Sequence, residues 1–97
     1  MSLQLPLREY LKSNILVTDG AMGTLYSQYT GLNSTLSEPA NIDMPELIRK
    51  IHNAYIKAGA KLIRTNTFSA NTITLNLPRE KVREIIRRGY DIAAESA

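Results

Sequence analysis

Cysteine is absent from the 97 residues, so no disulfide framework can staple the chain, and no thiolate within it can bind a metal or attack a substrate. Histidine occurs once, at His52. With no second His, Cys or paired carboxylate at metal-ligand spacing, it reads as a satisfied, partly buried side chain. Long apolar runs are missing too: none exceeds four residues, far short of the roughly 20 a membrane span needs. Leu3, Leu5 and Leu7 are too interrupted for a signal-peptide core. There is no Gly/Ser linker, low-complexity tract or internal repeat, so the chain reads as one unit. The expected location is cytoplasmic, with no membrane partner.

What is present is ordinary globular composition, 43% hydrophobic and 22% charged, enough for a modest core in one small domain. The net charge of +3 is unevenly placed. Residues 1–48 carry 2 bases and 5 acids, residues 49–97 carry 10 and 4. The basic run Arg79–Arg88 contains a Glu84–Arg88 pair at i,i+4 and a Glu80–Arg83 pair at i,i+3, with no aromatics interleaved, so it reads as a solvated helix face and no nucleic acid is expected.

Leu7, Tyr10 and Leu11 fit a short amphipathic turn ending near Ser13–Asn14, a cover or lid helix. Ile15–Thr18, bounded by Asn14 and Asp19–Gly20, predicts a first strand buried on both faces. Gly20–Asp43 reads as a long loop with a helical turn around Thr24–Tyr29. Asp43 is the expected N-cap of a helix to about Ala58, with Pro45 in its first turn and Glu46 at the capping-box position. Its apolar face is Leu47, Ile48, Ile51, Tyr55, Ile56 and Ala58, with Arg49, Lys50, Asn53 and Lys57 opposite and Gly59 as the left-handed terminus. Ala60–Thr65 predicts a second strand, Asn66–Asn71 a polar loop, and Pro78–Ala97 a final helix with Val82, Ile85, Ile86, Gly89 and Ala93 on one face. Gly89 in mid-helix costs about 1 kcal/mol against Ala, acceptable where a helix lies close on a sheet. The order β-α-β-α predicts an α/β fold with parallel strands and a right-handed crossover. Two strands cannot finish a parallel sheet, so residues 1–97 are expected to be the N-terminal portion of a larger (β/α)8 barrel, incomplete in this chain.

Ligands of such folds bind beyond the carboxyl ends of the strands. After the first strand comes Asp19-Gly20-Ala21-Met22-Gly23-Thr24. There a carboxylate can hold an ammonium, and backbone N–H groups among small residues can take a carboxylate or phosphate; a tight Gly-rich turn capped by Asp19 is the plainer alternative. After the second comes Thr65-Asn66-Thr67-Phe68-Ser69-Ala70-Asn71, where Asn66 and Asn71 offer directional donors and acceptors and Phe68 a wall. The alternative is a loop whose side chains satisfy their own backbone.

These two segments, together with Ile51-His52-Asn53-Ala54-Tyr55-Ile56-Lys57-Ala58-Gly59-Ala60, stand in the order and spacing of the homocysteine S-methyltransferase family, which the chain resembles over nearly its whole length. Within the family, its opening is most similar to bacterial bifunctional proteins that join this domain to a methylenetetrahydrofolate reductase. The resemblance implies a barrel that transfers a methyl group to the thiol of homocysteine, giving methionine. It also implies a zinc ion, held by three cysteines, that binds the thiol and lowers its pKa. It places the homocysteine amino group on Asp19, its carboxylate on the N–H groups of Gly20, Ala21, Met22 and Gly23, and Asn66 in the mouth. The methyl donor, in this family a methylated folate, methylcobalamin, betaine or S-methylmethionine, is not identified by any residue of the sequence. The zinc cysteines belong to later strands, so these residues alone are expected to be inactive. The competing expectations are a non-catalytic fragment that self-associates or docks onto the missing barrel portion, and a phosphate site of another barrel family at Gly20–Gly23.

Overall fold

The computed structural model describes residues 6–32 and 35–97; Leu3, Leu5 and, within the long loop, Asn33 and Ser34 lie outside them. Among the described residues the helices are α1 (Leu7–Ser13), α2 (Met22–Thr30), α3 (Ala40–Asp43), α4 (Pro45–Lys57), α5 (Thr72–Leu75) and α6 (Arg79–Ser96). The apolar stripe of α4 meets those of its neighbours. Ile48 and Ile51 are sealed against Tyr26 of α2, Ala40 of α3 and Ile92 of α6, with Met22, Leu25, Leu47 and Tyr55 around them. Each fully buried isoleucine contributes roughly 1.5–3 kcal/mol, so this cluster is the main apolar support of the fold. Arg49, expected on the solvent side of α4, instead reaches α6: its Nε and Nη2 donate to Oε2 of Glu95 at 3.1 and 2.8 Å, while Nη1 pairs with Glu46.

Gly89 explains how α6 sits. A Cβ there would lie 2.7 Å from Asn41 Nδ2 and 3.3 Å from the Asn66 carbonyl oxygen, so the missing side chain is what lets the helix approach α3 and the loop after residue 65. The expected face of α6 is buried at Val82, Ile85, Gly89 and Ala93, joined by Ile92; Ile86 is exposed. Lys81 and Glu84 approach at 4.0 Å, whereas neither expected pair of the basic run is within ion-pair distance among the described residues.

The segments expected as strands run side by side in parallel, joined by one bridge between Thr18 and Leu62. Leu62 N–H donates to Val17 O at 3.3 Å and Asp19 N–H to Leu62 O at 3.0 Å. Burial on both faces is not found: Ile15 is 86% exposed, and Val17 and Leu62 are about half exposed. The described helices cover this pair only in part, and it has no further strand beside it among the described residues. Among the described residues α1 packs on no other helix, and none of its own residues is buried.

Two helix starts differ from expectation. Asp43 closes α3 instead of capping α4; Met44, at φ −143° and ψ 61°, stands between them and offers no side-chain acceptor. Pro45 does occupy the first turn of α4, and Gly59 takes φ +116° just past its end. Asn71, read as a pocket group, caps α5: its side-chain oxygen accepts from Thr74 N–H at 2.7 Å.

Candidate functional site

Beyond the Thr18–Leu62 bridge, a parallel ladder would continue with Arg64 N–H donating to the Asp19 carbonyl. Here the Asp19 side chain takes that place: its Oδ2 accepts from Arg64 N–H at 3.0 Å and its Oδ1 from Arg64 Nε at 2.9 Å. The displaced carbonyl of Asp19 accepts from Arg64 Nη2 at 3.2 Å, and that of Gly20 from the same nitrogen at 3.3 Å. A side-chain rung is longer than a main-chain one, so backbone pairing stops here and the chains part.

A cavity of about 570 Å³ opens at this point. Its lining includes Asp19, Gly20, Ala21, Met22, Gly23 and Asn66, but not Asn71. Its floor is held by a buried polar network. Asn66 Nδ2 donates to Ser37 O and Asn41 Oδ1, both at 2.9 Å, while Asn66 Oδ1 accepts from the Ser37 hydroxyl at 2.8 Å. Asn41 Nδ2 donates onward to Asn66 O at 2.9 Å and Ile85 O at 3.0 Å. Asn66 thus fixes the wall, its amide donors turned to protein. Glu38, also buried and on the lining, accepts from Ser69 N–H at 2.9 Å.

The first turn of α2 enters the cavity with no side-chain cap on Ala21, leaving its N–H groups and the positive helix end available to an anion. Tyr55 steadies the approach, its hydroxyl donating to Ala21 O at 2.9 Å. A Cβ on Gly20 would fall 2.8 Å from that ring, so a side chain there would push the phenol from its place. Burial raises the Tyr55 phenol pKa; the negative Asp19 adds to this and Arg64 opposes it.

Phe68 is no wall: it is 99% exposed and stands at the rim. His52, expected to be satisfied and partly buried, is fully buried, and among the described residues neither ring nitrogen has a hydrogen-bond partner. Burial lowers its pKa below 6.5, against a smaller upward pull from Asp19. Sequence reasoning passed over Arg64, Glu38, Ser37, Asn41 and Tyr55. Arg64 carried a signal, a cation at one strand end facing an acid at the other; the remaining four sit among polar or helical residues that mark nothing by type.

The profile of the family described as homocysteine S-methyltransferase matches residues 16–97. This chain belongs to the homocysteine S-methyltransferase family. It is also 35% identical over 100 residues to a methionine synthase of Mycobacterium leprae (strain TN). That alignment takes in 94% of this chain but 8% of the relative. The family assignment therefore rests on the stretch that contains the Asp19–Gly23 turn, α4 and the Asn66 loop.

The three-cysteine zinc site implied by the resemblance does not fit the donors at hand. The sequence has no cysteine, and among the described residues no three His, Asp or Glu side chains cluster as a metal would require. What the described lining offers is the uncapped start of a helix, one guanidinium and two carboxylates. No described helix is long and apolar enough to cross a membrane.

Proposed function

We propose that these residues form two βα units of a (β/α)8 barrel that methylates the sulfur of homocysteine to give methionine, and that they build the amino-acid end of its pocket. The observation that carries this reading is the convergence of the Asp19–Gly23 turn and Asn66 on one cavity beyond the paired segments, where ligands of parallel α/β folds bind. In this reading the α-carboxylate lies on the N–H groups of Gly20–Gly23. The ammonium lies against Asp19, whose oxygens each keep a lone pair after binding Arg64. Asn66 holds the wall in register, and the thiol points away toward groups supplied by the rest of the barrel, zinc chemistry included. A methylated folate is the donor that the resemblance to reductase-linked bifunctional proteins suggests. The parallel bridge and the intervening helix α4 support the barrel assignment.

Titration of the chain with L-homocysteine, followed at the backbone amides of Gly20 and Gly23 by NMR, tests the reading. These amides should shift saturably at millimolar ligand, and Asp19→Asn should weaken binding about tenfold. Amides that stay still would remove the homocysteine assignment. The bare Ile15, Val17 and Leu62 favour a second property, docking onto the remaining barrel or a second copy. Sedimentation velocity should show association at micromolar concentration; a clean monomer would count against it.

A further inference from the structure

We propose that Arg64 is the specificity-determining residue of this pocket, holding the substrate's α-carboxylate beside the first turn of α2. The assignment rests on the homocysteine reading above and adds a residue to it. A guanidinium has five N–H donors. In Arg64 the Nε donor is on Asp19 Oδ1, and Nη2 reaches the carbonyls of Asp19 and Gly20. Among the described residues the Nη1 donors have no partner, although the group lines the cavity.

Its anchoring is one-sided. The bonds to the Asp19–Gly20 backbone pin the guanidinium along the segment that leads into α2, so the unpartnered edge and the uncapped amides of that helix serve the same end of the cavity. The Arg64 side chain is 65% exposed whereas that of Asp19 is 5% exposed, so an incoming carboxylate can reach the guanidinium without displacing its partner. Among the described residues Arg64 is also the sole cation on the lining, against the acids Asp19 and Glu38. Since Arg64 compensates Asp19, Glu38 supplies the net negative charge that an ammonium requires. The cavity is thus polarised for a zwitterion, and the guanidinium selects ligands with a free carboxylate.

The test compares L-homocysteine with aminopropanethiol, the same thiol lacking the carboxylate, by NMR titration of the chain. The native chain should prefer L-homocysteine by about tenfold or more; Arg64→Gln should lower that preference about tenfold, and Arg64→Lys should restore part of it. An unchanged preference in Arg64→Gln, or equal weakening of both ligands, overturns the assignment, because a merely structural arginine would affect the two alike. A measurement without any variant serves if Arg64→Gln fails to fold: the native preference should fall as salt is added, and a salt-insensitive preference overturns the proposal. Absence of any response to L-homocysteine in the native chain would instead remove the homocysteine reading, and this assignment with it.

Discussion

On the α6 side of the cavity, every side-chain polar atom of Asn41 and Asn66 has a partner, and Ile85 and Ile92 are sealed. On the side of the paired segments, Ile15, Val17 and Leu62 lie open and a single bridge joins the chains. The difference teaches where this polypeptide is self-sufficient. Helices satisfy their backbone internally and need one apolar partner, which α4 and α6 give each other. A parallel pair needs neighbours at both edges and cover on both faces.

The sharpest way to break that contrast is a matched pair of truncations. Ile51→Ala should cost about 3–4 kcal/mol by emptying a sealed site, whereas Ile15→Ala should cost less than about 0.5 kcal/mol, as expected of an open position. Urea denaturation of both variants measures this; equal losses would mean that Ile15 is covered in solution.

Removing the network is the next largest perturbation. Asn66→Ala strands Asn41 Oδ1 and the Ser37 hydroxyl in a buried place, so a loss of about 2–3 kcal/mol is expected. A thermal melt indistinguishable from the native chain would show that water replaces the amide.

The smallest effect separates the regions by pH. Burial holds the His52 pKa in the folded chain below the ordinary 6.5, so the unfolded chain takes up its proton first as pH falls. Stability is then full above 6.5 and declines below it, by at most about 1.4 kcal/mol per pH unit, until the folded pKa is passed. Denaturation midpoints at neutral and mildly acidic pH should differ in the native chain, and His52→Leu should flatten the difference. A slope that survives this substitution would assign the effect to carboxylates.

The contrast also marks what could be read from sequence. The 3.6-residue periods of α4 and α6 gave their extents and most of their faces, because amphipathic helices are specified locally. The order of the paired segments was legible as well, but not the length of their pairing. That is decided by one side chain, Asp19, substituting for a main-chain acceptor across 45 residues. The short helices α3 and α5 are set by tertiary contacts and by the Asn71 cap, so periodicity had too few residues to register them. Asp19–Gly23 and Asn66 were found as candidates because turn residues after apolar runs are conspicuous. Arg64 and Glu38 were not, since their meaning depends on what stands opposite them.

The rung at Asp19 has a mechanical consequence. A peptide carbonyl cannot leave its partner unless the chain itself moves, but a carboxylate swings away by rotation about χ1 and χ2. The two segments are therefore fastened at the mouth of the cavity by a hinge pin that can be withdrawn without bending the backbone. A cationic guest that draws Asp19 aside would loosen the seam next to it, so occupancy and strand pairing are geared to one another through the torsions of one side chain.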